Sequence, residues 1–202
     1  MLDAAIRSYA ELGEQGLTTK NLAKAADCSE ALIYRHFKSK DDLLRECYLR
    51  LHARADKAFI TVDLPDDLSL AEVIRRSRGY YIQVLRFFVD AGYESLFYFW
   101  FRMSDAFTSL LKEGSEDIKE TYISSFMNSF ERMRVKLNLG ISADFYRTFI
   151  VFATGNFVEQ IIKGKLDGSD RTYETIADLV FGGLFTTLPG ITWDDLADIG
   201  NR

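Results

Sequence analysis

Proline is almost missing: a chain of 202 residues has two, Pro65 and Pro189. Little therefore interrupts backbone N–H donation, and long helices are permitted nearly everywhere. Cysteine and histidine are as scarce, with Cys28, Cys47, His36 and His52 the full set. The two cysteines make neither a metal-binding spacing nor a disulfide framework. Neither histidine has a second histidine or cysteine at the i, i+4 spacing of a zinc helix. No metal or cofactor is expected, and with no nucleophile–base pair legible the chain reads as not an enzyme. Long apolar runs are lacking too. Leu96 to Phe101, bounded by Glu94 and Arg102, is far shorter than the ~20 apolar residues of a membrane span. No secretory pattern of charged, apolar and small residues opens the chain. The expectation is a cytoplasmic protein with no membrane partner.

Positive charge is not in excess either, the net charge being −5. A strongly basic nucleic-acid binder is excluded, but the distribution matters more than the sum. Residues 1–50 are neutral, eight basic against eight acidic, so the whole deficit falls on residues 51–202. Between Lys20 and Lys40 basic residues outnumber acidic ones, and a local patch is sufficient for phosphate contact.

What is present is helical periodicity. A first helix carries Ala4, Ala5, Tyr9 and Leu12 and ends by Gly13 or Gly16. Thr18-Thr19 offers an N-cap to a second, with Leu22, Ala23 and Ala26. Ser29 caps a third helix running to about His36, and Ser39 caps a fourth. In the fourth, Leu43, Leu44, Cys47, Tyr48 and Leu51 recur at three- and four-residue steps, the mark of one buried face. After a linker at Asp63–Asp67, helices are expected at roughly 69–90, 93–112, 116–138, 142–164 and 172–187. Gly92, Gly114, Gly140 and Gly168 stand near their ends. The 116–138 segment is the most regular, with Ile118, Tyr122, Phe126, Phe130, Met133 and Leu137 in step. The fold class is all-α: an N-terminal three-helix domain, then a larger helical bundle, about nine helices in all.

Short helices two and three, joined by a three-residue turn, have the layout of a helix-turn-helix. Its third helix must lie in a DNA major groove about 12 Å wide. Leu22, Ala23, Ala26, Cys28 and Ile33 would form the small core, leaving Glu30, Ala31, Leu32 and Arg35 free to face DNA. The run from Thr18-Thr19 through Leu22-Ala23, Ala26-Asp27-Cys28-Ser29, Ile33-Tyr34-Arg35-His36-Phe37 and Lys40 to Leu43-Leu44 resembles the signature of the TetR family of bacterial and archaeal regulators. Upstream, Ala5, Tyr9 and Gly16 fit the family's first helix. The resemblance covers residues 1 to about 50 and begins inside that helix, so no contact from a preceding basic arm is counted.

The resemblance implies a DNA-binding domain at residues 1–50, its motif at about 18–37, and an effector-binding and dimerisation domain at 51–202. Thr19, Tyr34, His36 and Lys40 are then phosphate contacts, which position the protein. Ser29 caps the recognition helix, and base reading falls to Glu30, Ala31, Leu32 and Arg35. Arg35 can fork onto a guanine edge, Glu30 can accept from cytosine N4, and Leu32 can touch a thymine methyl. Glu30 can equally do no more than place negative charge in the first turn of its helix. Asp27 stands where the family has glycine, and aspartate tolerates a left-handed backbone better than most residues. Leu32 replaces a small hydroxyl residue, which removes one phosphate contact. Cys28 and Cys47 read as small buried hydrophobes. His52 reads as a surface or domain-interface residue.

Twenty-eight aromatics occur, and all but Tyr9, Tyr34, Phe37 and Tyr48 lie beyond residue 50. Most serve as core; their number also suits a pocket for an apolar or aromatic effector. By resemblance it lies among the fifth to eighth helices, with Tyr81, Leu85, Phe97, Trp100, Phe101, Phe126, Phe130, Phe149, Phe152 and Asn156 as candidates. The last two long helices make the dimer in the family pattern, with Phe145, Ile161, Ile176, Val180, Gly183 and Leu184 as candidates. The partners expected are double-stranded operator DNA, a second copy of the chain and a small lipophilic effector. The function expected is that of a transcriptional repressor released from a palindromic operator. The alternatives are a DNA-binding regulator without effector, or a helical small-molecule carrier or enzyme.

Overall fold

The computed structural model describes residues 1–59, 62–120 and 125–185, apart from the side chains of Gln15, Ser125, Phe126, Leu184 and Phe185. Among the described residues the chain is entirely helical. In order the helices are α1 (Leu2–Gly16), α2 (Thr19–Ala25), α3 (Glu30–His36), α4 (Lys40–Ala58), α5 (Leu70–Asp90), α6 (Tyr93–Arg102), α7 (Asp105–Lys112), α8 (Glu116–Glu120), α9 (Ser125–Lys136), α10 (Ala143–Ile162) and α11 (Asp170–Phe185). They form two compact units.

The first unit joins Met1–Ala58 to α6, α7 and α8. Its α1 buries Ala5, Ile6 and Tyr9. At Gly13 the backbone turns to φ +72° and leaves the helical path before Gly16, a conformation glycine adopts at little cost. On α4, Leu43, Leu44, Cys47, Tyr48, Leu51, His52 and Ala55 are buried. Facing them on α6 are Leu96, Phe97, Tyr98 and Phe101. The rings interlock edge to face, Tyr9 on Phe97 at 5.0 Å, and by stacking, Tyr48 on Tyr98 at 4.7 Å. Such pairs stabilise beyond their buried area.

The helix expected at 93–112 is two helices. Ser104 breaks it: its hydroxyl donates to the Phe101 carbonyl and accepts from the Phe107 amide, ending one helix and capping the next. The chain direction changes there and turns Phe107 back onto Tyr48, 5.1 Å away. The 116–138 segment is helical at α8 and α9; Tyr122 and the side chain of Phe126 lie outside the described residues.

The second unit holds Phe59–Asp90 with α9, α10 and α11. Two ion pairs fix the direction of α5 against α11. Arg78 meets Asp178 at 2.6 Å and Arg86 meets Asp170 at 2.7 Å, so advancing along one helix retreats along the other. Between them α5 buries Tyr81, Val84, Leu85 and Phe88, and α11 buries Tyr173, Ile176, Ala177, Val180 and Phe181. Helix α9 ends at Asn138 (φ +47°) rather than at Gly140. Leu139 N–H reaches the Arg134 carbonyl and Asn138 N–H that of Val135, a Schellman closure in which asparagine takes the glycine position. Helix α10 closes the same way at Gly164, ahead of Gly168.

Candidate nucleic-acid interface

The turn between α2 and α3 is made by local chemistry. The Thr18 hydroxyl accepts from Asn21 N–H and so caps α2. At the other end, Cys28 N–H bonds the Ala23 carbonyl and Asp27 N–H that of Lys24. This again is a Schellman closure, with Asp27 in the left-handed position at φ +48°. The aspartate therefore performs the glycine's part, as the sequence led one to expect. Ser29 begins α3 by accepting from Leu32 N–H at 3.2 Å. Leu22, Ala23 and Ile33 are buried beneath the turn, with Ala26 and Cys28 half-buried. That small core holds the two helices together.

With Ile33 turned inward, α3 presents Glu30, Ala31, Tyr34, Arg35 and His36 to solvent, while Leu32 is half-buried. Tyr34 is 56% exposed, far more than a ring serving the core would be. Lys40 stands half-buried in the first turn of α4. That turn is fixed reciprocally, the Ser39 hydroxyl accepting from Asp42 N–H and the Asp42 carboxylate from Lys38 N–H. The structure thus gathers Tyr34, Arg35 and His36 on one exposed helix, with Lys40 just beyond its end. One contact was not legible in the sequence. The Thr19 hydroxyl donates to a Glu30 carboxylate oxygen at 2.8 Å, joining residues from two helices with no local spacing to betray them.

Residues 1–47 match the family model described as bacterial regulatory proteins, tetR family. The N-terminal part of the chain is thus similar to the TetR family of regulatory proteins. Solved structures extend the likeness to the whole fold. A TetR family transcription regulator from Marinobacter aquaeolei VT8 has a TM-score of 0.66 at 17% identity, over 91% of this chain and 92% of that one. A TetR-like transcriptional regulator from Rhodococcus sp. RHA1 has a TM-score of 0.58 at 17% identity, over 91% and 92%. The fatty acid degradation regulator FadR from Bacillus halodurans has a TM-score of 0.54 at 19% identity, over 91% and 93%. At such identities the likeness is one of fold. No characterised protein matches the chain by sequence.

The remaining TetR-family expectations map unevenly. Phe97 and Phe101 are wholly buried in the first unit against Tyr9 and Tyr48, so they act there as core. Trp100, on the same helix, is half-buried. In the second unit Tyr81, Leu85 and Phe130 are buried, Tyr81 lying edge-on to Phe130 at 6.5 Å and to Phe181 at 5.7 Å. The Thr154 hydroxyl donates to the Tyr81 hydroxyl at 3.2 Å. The Ser77 and Tyr146 hydroxyls are buried nearby on α5 and α10 without a hydrogen-bond partner among the described residues. Phe149 is half-buried, whereas Phe152 and Asn156 are exposed. The Phe126 side chain lies outside the described residues.

Of the expected dimer residues, Phe145 is 61% exposed, but Ile161, Ile176 and Val180 are buried within their own unit. The cause is helical phase: α11 turns Ile176, Ala177, Val180 and Phe181 toward the core, leaving Leu179 and Gly183 outside. The Leu184 side chain lies outside the described residues. On α10 the outward apolar face is Phe145, Phe149 and Phe152, at four- and three-residue steps.

An open groove of about 770 Å³ lies in the first unit, lined among others by Asp41, Asp42, Arg45, Glu113, Glu116 and Asp117. It is acidic and contains none of the candidate pocket residues, so it is not the apolar cavity expected. Arg45 spans it, pairing with Asp42 and Glu46 on its own helix and with Asp117 of α8. His52, read from the sequence as a surface or domain-interface residue, is 6% exposed. Its Nδ1 lies 3.0 Å from the Tyr98 hydroxyl, and the Arg102 guanidinium donates to the Tyr48 hydroxyl at 2.6 Å. The signal was available, since His52 is in phase with Tyr48 and Ala55 on the buried face of α4. Among the described residues no helix is long and apolar enough to cross a membrane.

Proposed function

We propose that the chain works as a homodimer that occupies a palindromic operator, represses transcription there, and is released by a small apolar or aromatic effector. The observation that carries the DNA reading is the exposed α3 face of Ala31, Tyr34 and Arg35 on a helix anchored by buried Ile33. In this reading residues 1–50 are the DNA-binding domain. Tyr34, His36 and Lys40 hold phosphates, and Arg35 forks onto a guanine edge in the major groove.

The outward face of α10 supports the dimer, because rings as exposed as Phe145 and Phe152, 61% and 59%, are normally covered in an assembly. Two helices from each subunit would make a four-helix interface. The effector reading rests on the second unit. There buried aromatics surround the hydroxyls of Tyr81 and Thr154, an apolar site with a few polar groups. Binding releases DNA only if the effector prefers the state in which the two reading heads no longer fit successive grooves, about 34–36 Å apart.

The test is a selection of duplexes from a randomised pool by the full-length protein, followed by a thermal-shift screen of lipophilic compounds and acyl thioesters. The expected results are an enriched inverted repeat and a compound that both raises Tm and weakens binding to it. A fold relative being a fatty acid degradation regulator is the reason for including acyl compounds. Enrichment of an inverted repeat with no stabilising compound would leave a regulator without effector. Failure to enrich any sequence would overturn the DNA reading itself.

A further inference from the structure

Within α2 and α3 there is one carboxylate, Glu30, among Lys20, Lys24, Arg35 and His36. It is exposed on the face that also presents Ala31, Tyr34 and Arg35. A negative charge there opposes DNA of every sequence, because phosphates line both sides of the groove. The carboxylate is nonetheless held in place, its Oε2 accepting from the Thr19 hydroxyl at 2.8 Å. Threonine has a single O–H to donate. While that proton is committed to Glu30, the hydroxyl has none to offer a phosphate oxygen. Thr19 in this arrangement orients Glu30 rather than the duplex.

A carboxylate has about four acceptor sites, so Glu30 can keep Thr19 and still accept from a base. Which base it tolerates follows from the groove pattern. Cytosine N4 and adenine N6 are donors, whereas guanine presents N7 and O6 and thymine presents O4, all acceptors. On the reading of α3 as the recognition helix, we propose that Glu30, positioned by Thr19, makes this interface selective by rejecting duplexes that offer only acceptors where the carboxylate meets the base edges. Where an amino group stands at that point, the repulsion is offset; elsewhere it is not. Specificity then arises partly from a penalty on the wrong sequence rather than wholly from attraction to the right one.

The experiment uses the full-length protein, a duplex enriched by it from a randomised pool, and a scrambled duplex of the same composition. Binding is followed by fluorescence anisotropy at several salt concentrations. Glu30→Gln removes the charge and keeps the shape. It is expected to tighten binding to the scrambled duplex by about fivefold for each subunit engaged, the worth of one charge pair at contact range in water, and to narrow the specific-to-scrambled ratio by at least that factor. A repeated selection with this variant is expected to lose preference at one base-pair position and keep it at the others. Thr19→Val removes only the hydroxyl, and is expected to weaken the enriched duplex while leaving the scrambled one unchanged. An unaltered ratio in Glu30→Gln would overturn the proposal, since Glu30 would then be a solvated clip between two helices. Equal weakening of both duplexes by Thr19→Val would overturn it too, because the hydroxyl would then be serving a phosphate. A wild-type protein that prefers no duplex removes the underlying reading, whereas a selective wild type with an indifferent Glu30→Gln removes this inference alone.

Discussion

Acidification should destabilise this protein through one histidine. His52 stacks in line with Tyr48 and Tyr98, and its Nδ1 lies 3.0 Å from the Tyr98 hydroxyl. Burial first, and the neighbouring Arg102 guanidinium second, push its pKa down from 6.5 to about 4, with Asp56 opposing. Above pH 6.5 the ring is neutral in the folded and unfolded chain alike, and contributes nothing that varies with pH. Below that value the unfolded chain takes up a proton that the folded chain refuses. Stability therefore falls as pH drops from 6.5 toward 4, and linkage between those two values gives a loss of about 2 kcal/mol by pH 5. The variant His52→Gln keeps an amide able to bond Tyr98 but cannot titrate. Urea unfolding, followed by far-UV circular dichroism at pH 7 and pH 5, measures both proteins. Protein concentration must be held fixed, because the stability of the proposed dimer would depend on it. The wild type is expected to lose about 2 kcal/mol more than the variant over that interval. Other groups that titrate there cancel in the difference. Parallel losses in the two proteins would refute the assignment of a neutral, buried imidazole.

Three further perturbations test other parts of the structure. Asp27→Ala places a residue less tolerant of φ > 0 at φ +48° and should cost about 1 kcal/mol in thermal unfolding, whereas Asp27→Gly should cost nothing. Lys40→Ala and Tyr34→Phe should weaken binding to all duplexes similarly, while Arg35→Ala should relax preference at one base position, as competition assays on single-base variants would reveal. Phe152→Glu puts a charge on a ring position 59% exposed in the single chain. It should leave helicity intact and shift sedimentation from dimer to monomer; an unchanged dimer would remove α10 from the interface.

What could be read from the sequence was whatever depends on neighbours along the chain. Thr18, Ser29 and Ser39 cap helices as expected, because capping is decided within three residues. Asp27 takes a positive φ where a two-helix turn requires one. The buried face of α4 was legible from its steps. What escaped was decided at long range or by phase. Periodicity groups Ile176 with Val180 on one stripe of α11 but is silent on whether that stripe meets the chain's own core or a second copy; the structure buries it. Ser104 reads like any polar residue in a helix until its hydroxyl is seen bonded both to Phe101 and to Phe107. The Thr19–Glu30 bond and the His52–Tyr98 bond span separations of 11 and 46 residues, and no spacing rule reaches that far.

The boundary expected at residue 50 falls inside α4 (Lys40–Ala58), and the packing explains why residues 1–58 should not fold alone. Their α1 and α4 bury Tyr9, Tyr48 and Leu51, but much of what covers them is Phe97, Tyr98 and Phe101 of α6. Ion pairs follow the same route, Arg50 and Arg54 of α4 both meeting Glu94 of α6. A fragment ending at Ala58 loses these partners. Each uncovered aromatic forfeits about 2 kcal/mol of burial, and three of them rival the whole stability of a domain that small. The fragment 1–58 is therefore expected to retain helical signal without a cooperative urea transition, whereas the full chain shows one. A sharp transition in the fragment would mean that the buried residues of α1 to α4 suffice, and that α6 is a passenger on them rather than part of their core.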